Sequence, residues 1–121
     1  MPTVDAAAVL DAARAAGVTL ATAESLTGGA VCARLVAVAG ASDVVRGGIV
    51  AYAPDVKVSM LGVAPEVLAL DGVVSEPTAV AMARGAREAL RADAAVATTG
   101  AAGPDAHGGA EAGTVCVAAS A

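Results

Sequence analysis

The sequence contains no tryptophan, phenylalanine, asparagine or glutamine. Its 121 residues include one tyrosine, one lysine, one histidine and two cysteines. Without large aromatic anchors the core must come from Val, Leu, Ile, Met and close Ala/Gly packing. Because 35 residues are alanine, which buries little area each, this predicts close approach between elements and a homo-oligomer interface that adds stability.

Other shortages exclude functions. The net charge is −5, with six arginines and one lysine that do not cluster, so the chain is not read as a nucleic-acid binder. Cys32 and Cys116 lie 84 positions apart with no CxxC. They read as two reduced, buried thiols of a cytoplasmic protein, and with His107 as the only histidine no metal site is expected. The N-terminus has acids and no basic segment, so it is not a secretory signal. No uncharged run of about 18 apolar residues is present, so no membrane partner is expected.

The length corresponds to one domain spanning residues 1–121. Apolar periodicity and caps predict helices over 4–16, 28–38, 54–61, 65–70 and about 76–91, with Ser75 capping the last. The core face of that helix is predicted to be Ala79, Met82, Ala86 and Leu90. Strands are predicted over 18–23, 46–53, 93–99 and 114–120. Alternation of the two types predicts an α/β fold, a single three-layer α/β/α domain with a mostly parallel or mixed sheet.

Ligands of such sheets collect beyond the carboxyl ends of the strands. Three segments fall there: "ATAESLTGG" (21–29), "AYAPDVK" (51–57) and "TTGAAGPDAHGG" (98–109). In the first, Ser25, Thr27, Gly28 and Gly29 could cradle a phosphate or an oxyanion at a helix start. They also fit an N-capped turn. The P-loop lysine is missing, and Ala23 and Thr27 replace the glycines of a GxSxG elbow.

The second segment carries the only lysine and the only tyrosine. A lysine amine can become a base when its pKa falls, whereas arginine cannot. Lys57 falls in the first turn of a predicted helix, where the dipole disfavours an ammonium, and Tyr52 could relay a proton or hold a carbonyl oxygen. Coincidence of two rare residues is the alternative. In the third segment, Thr98 and Thr99 and the backbone could wrap a ligand, while His107 and Asp105 read as loop residues. With its one histidine in that loop, a Ser-His-Asp triad has little support. Ser25 with Lys57 is the remaining nucleophile–base pair, and backbone amides would meet the oxyanion. That combination describes acyl transfer or amide hydrolysis.

"TAESLTGG" (22–29), "RGGIVAYAPDVKVSMLGV" (46–63), "GVVSEPTAVAMARGAREAL" (72–90) and "ADAAVATTGAAGPDAHGGAEAGTVCVA" (92–118) resemble the C-terminal domain of the CinA family, the nicotinamide-nucleotide amidases. The resemblance runs over about residues 4–120. It implies hydrolysis of the carboxamide of nicotinamide mononucleotide to nicotinic acid mononucleotide and ammonia, with a small nucleotide as partner and no cofactor. By motif, Ser25 would be the nucleophile, Lys57 its base, and Tyr52 a helper in proton transfer. Glu24, Thr27, Gly28, Gly29, Thr99, Gly100 and Gly103 would bind substrate or shape the pocket. The chain departs from the family in having Ala53-Pro54 where Ser-Asn is common, and in stopping at Ala121 where another strand and helix usually follow. Met1 just before the first helix points to a stand-alone form. A shortened, non-catalytic nucleotide-binding or assembly module is the alternative function.

Overall fold

Helix ends are fixed by caps that the sequence supplies. In the computed structural model, which describes residues 5–104 and 110–121, helix α1 (Ala6–Ala16) starts where the Asp5 carboxylate accepts from the Ala8 N–H at 2.8 Å. It stops at Gly17, whose left-handed conformation lets its N–H reach the last carbonyls. Strand β1 (Leu20–Glu24), helix α2 (Ala30–Val36) and strand β2 (Val45–Val50) follow. Pro54 and Pro65 open the short helices α3 (Pro54–Leu61) and α4 (Pro65–Asp71). Helix α5 (Glu76–Ala89) is capped by Ser75, whose hydroxyl accepts from the Thr78 N–H at 3.2 Å. Strands β3 (Ala94–Gly100) and β4 (Val115–Ser120) close the described chain.

The sheet order is β2-β1-β3-β4. β1 runs parallel to β2 and to β3, and β4 is antiparallel to β3. The strands feed two cores. Ala21, Ala23, Ala95 and Ala97 pack with Leu61, Val63, Met82, Ala83 and Ala86 on one side. Leu20 and Val45 join Leu10, Ala13, Leu35 and Val44 on the other. This is the three-layer α/β/α arrangement, and small strand residues let α5 sit close to the sheet.

At the amino ends of β1 and β3 the Asp93 carboxylate accepts from both the N–H and the hydroxyl of Thr19, at 2.9 and 3.0 Å. At the opposite, carboxyl ends the strands are open. β1 is the first strand, with β2 on one side and β3 on the other, so the chain changes its direction of travel across the sheet there. In open α/β sheets such a switch point at the carboxyl ends is where ligands collect, and here it lies just beyond Glu24.

Most bounds differ from the sequence reading by one or two residues, and three of the differences have a clear physical reason. Helix α2 starts two residues late because Gly28 and Gly29 adopt φ of +60° and +105°, values foreign to a right-handed helix. β2 ends at Val50 rather than 53, since after the Ala51 N–H bonds to the Glu24 carbonyl the chain turns at Tyr52 and Ala53 toward Pro54. α5 ends at Ala89, and Arg91 turns with φ of +52°. The predicted core face holds at Ala79, Met82 and Ala86, all fully buried, with Leu90 partly so. Cys32 and Cys116 are free thiols, but each is half-buried rather than buried. Among the described residues no helix is long and apolar enough to cross a membrane.

Candidate active site

Among the largest fully buried side chains, alongside Leu10 and Met82, are Lys57 and Glu24. Both lie at the switch point. A charged side chain is buried only where its polar atoms are paired, and each of these is paired in a distinct way.

Lys57 sits in the first turns of α3, and its amine runs back beneath the end of β2. Nζ lies 2.9 Å from Ser25 Oγ, 2.9 Å from the Ala51 carbonyl oxygen and 2.9 Å from the Tyr52 carbonyl oxygen. The three acceptors match the three positions of an ammonium. Burial lowers the amine's pKa below the ordinary lysine value of 10.5. The neutral amine fits equally well: its two hydrogens go to the two carbonyls and its lone pair faces the Ser25 hydroxyl. Ser25 follows β1 directly, is 6% exposed, and is pinned by its own N–H to the Thr98 carbonyl at 3.1 Å.

Glu24, one residue before, points away from the lysine. Its carboxylate accepts from the Thr27 hydroxyl at 2.6 Å and from the Val31 and Cys32 N–H groups at 2.8 and 3.0 Å. Burial alone would raise its pKa, but these bonds together with one from the Gly29 N–H hold it below 4.5. The protein's own carboxylate therefore fills the start of α2. That carboxylate occupies the Gly29, Val31 and Cys32 N–H groups, so of the donors near "ESLTGG" the Leu26 and Thr27 N–H groups are the ones left open among the described residues. Thr27 Oγ1 also meets Thr98 Oγ1 at 2.7 Å, tying the Ser25 turn to β3.

The remaining predicted residues divide. Gly28 and Gly29 form the left-handed turn that swings α2 behind Glu24. Gly100 ends β3, and a side chain there would strike Leu26 and the Thr114 carbonyl. Gly103 lies in the following loop. Thr99 is 1% exposed, and its hydroxyl donates to the Val73 carbonyl at 2.8 Å, so it anchors the loop before α5. Tyr52 is 74% exposed. What it brings to Lys57 is its carbonyl, and its ring stands at the rim. Asp105 and His107 lie outside the described residues. The residue that sequence reasoning missed is Ala51: every residue type has a carbonyl, so no side-chain signal could have marked it. Among the described residues no group of three His, Cys, Asp or Glu could hold a metal.

A family description, the CinA C-terminal domain, matches residues 3–121. The chain belongs to the CinA C-terminal domain family. It is 53% identical over 104 residues to a CinA-like protein of Mycobacterium avium (strain 104), covering 84% of this chain and 24% of that protein. It is 46% identical over 105 residues to a putative competence-damage inducible protein of Shouchella clausii (strain KSM-K16), covering 87% and 25%. The chain thus spans about a quarter of the length of these curated relatives. Among solved structures, the competence/damage inducible protein CihA from Agrobacterium tumefaciens superposes with a TM-score of 0.89 at 42% identity, covering 96% of this chain and 71% of that one. A CinA superfamily protein from Escherichia coli gives 0.90 at 35%, covering 94% and 67%. The whole Ser25–Lys57 arrangement falls within the matched span.

Proposed function

We propose that the protein is an amidohydrolase that converts nicotinamide mononucleotide to nicotinic acid mononucleotide and ammonia, with Ser25 as nucleophile and Lys57 as base. One observation carries this reading: a buried lysine amine 2.9 Å from a serine hydroxyl, held there by two main-chain carbonyls. A solvated lysine would need neither burial nor such fixed partners.

With Lys57 neutral, Ser25 Oγ–H donates to Nζ, and the proton moves to the amine as Oγ bonds to the carboxamide carbon. The carbonyl oxygen gains the negative charge. The N–H groups of Leu26 and Thr27, in the turn after Ser25, make no hydrogen bond among the described residues and are the donors we assign to it. The Lys57 ammonium then protonates the departing nitrogen as the C–N bond breaks, releasing ammonia and leaving an ester on Ser25. Water, deprotonated by the same amine, cleaves that ester. No cofactor enters this scheme.

Ammonia release from nicotinamide mononucleotide tests the assignment. Wild type is expected to turn over, and Ser25→Ala and Lys57→Arg to lose activity by about a thousand-fold. Lys57→Arg keeps the charge and removes the base. Equal release by wild type and both variants would refute the roles, and nucleotide binding without any ammonia would favour a non-catalytic binding module.

A further inference from the structure

The turn between β1 and α2 holds its shape through hydrogen bonds. Gly28 and Gly29 follow one another there at positive φ, and glycine restrains the backbone least of all residues. A β-carbon built on Gly28 would meet no atom within 4 Å, so no neighbour presses on it. The N–H groups of the stretch are nearly all engaged. Ser25 donates to the Thr98 carbonyl, Gly28 to the Ser25 carbonyl at 3.1 Å, and Ala30 to the Thr27 carbonyl at 2.9 Å. Gly29, Val31 and Cys32 donate to the Glu24 carboxylate. From Ser25 to Cys32 this leaves only the Leu26 and Thr27 N–H groups without a partner among the described residues.

Side chains brace the same stretch. An ionised carboxylate can only accept, so the Thr27 hydroxyl spends its one hydrogen on Glu24. In the contact between the two threonines Thr98 must then be the donor and Thr27 the acceptor. The Thr27 hydroxyl thus gives one bond and takes one, both within the protein. Glu24 fixes it at one end and β3 at the other.

We propose that the Thr27 hydroxyl, clamped between Glu24 and Thr98, is a positioning group that aims the Leu26 and Thr27 N–H groups at the developing oxyanion. The inference rests on the Ser25–Lys57 roles above and divides Thr27 in two. Its main chain meets the substrate, and its side chain acts only through that main chain. The oxyanion forms on the way to the transition state, so loss of the clamp lowers kcat and leaves KM nearly unchanged. A hydroxyl that bound the nucleotide would instead raise KM. One that served only the fold would lower the thermal midpoint with kcat intact.

Thr27→Val keeps the shape and the N–H and removes the hydroxyl, and two rates test it. One is ammonia release from nicotinamide mononucleotide. The other is labelling of Ser25 by a phosphonyl fluoride, read by mass spectrometry, which needs no nucleotide. In that labelling Ser25 Oγ bonds to phosphorus, its proton passes to the Lys57 amine, and fluoride leaves with the electrons of the P–F bond. The phosphoryl oxygen takes the oxyanion's place. T27V is expected to lower kcat and the labelling rate by about ten-fold or more, with KM within about two-fold of wild type. Thr27→Ser, which restores the hydroxyl, is expected to recover most of both rates. Wild-type labelling without ammonia release would refute the amidase reading, and the clamp would then stand or fall on the labelling rates. Wild-type rates in T27V, a raised KM at unchanged kcat, T27S as slow as T27V, or a wild-type Ser25 that takes no label would each overturn the proposal.

Discussion

A lysine with three fixed oxygen neighbours can hold either three hydrogens or two and a lone pair, and pH decides which. Burial keeps Lys57 below 10.5, so activity that needs the amine is expected to rise with pH around a midpoint under 10.5. A pH–rate profile flat up to that value would contradict the role. The shift also bears on stability. Between the native value and 10.5 the unfolded chain binds a proton that the native chain releases, so this group's contribution grows as pH rises through that window and is lost as pH falls through the native value. Glu24 titrates far lower: its native pKa lies below 4.5, so its contribution is present above 4.5 and fades as pH falls through the native value. Glu24→Gln leaves an NH₂ group facing a main-chain N–H donor, with an expected cost of about 1–3 kcal/mol at neutral pH. Urea midpoints at neutral and acid pH measure this, and an unchanged neutral midpoint would remove Glu24 from its capping role. At this scale the sequence was legible where residue type is scarce. One lysine among six arginines marked the cation that is buried against Ser25. Nothing marked Glu24 as internal, because a carboxylate beside a serine looks the same whether it faces a ligand or a helix start.

Elements were legible where their ends are chemical. Pro54 and the Gly62 stop delimit α3 as predicted, and Asp5 with Gly17 does nearly so for α1. The end of β2 was hidden because "VAYA" stays apolar and β-prone beyond the point where the backbone leaves the sheet. Yet that departure is what turns the Ala51 and Tyr52 carbonyls toward Lys57. Contact between α3 and α5 depends on Gly85, where a β-carbon would run into the Leu61 carbonyl. Gly85→Ala is therefore expected to destabilise by about 1–3 kcal/mol despite its higher helix propensity. Thermal unfolding checks this, and a raised midpoint would mean that α3 can shift freely. Since α3 carries Lys57, the same variant is expected to lower turnover before it unfolds the chain.

Across the whole molecule, the order β2-β1-β3 brings three segments far apart in sequence to one rim. Convergence was predictable from strand alternation alone. Strand order was not, since the pairing of β1 with both neighbours depends on packing that short alanine-rich strands do not advertise. Alanine on the β1 and β3 faces does explain how a core without aromatic rings closes, with α5 lying near the sheet. The same scarcity has an optical side. Tyr52 is the only Tyr, Trp or Phe in the chain, and its side chain is exposed while its main-chain carbonyl holds the Lys57 amine. Intrinsic ultraviolet emission therefore arises from a single exposed ring whose own residue contacts the Lys57 amine, with no interior background, and ligand binding there can be followed by quenching without any introduced label.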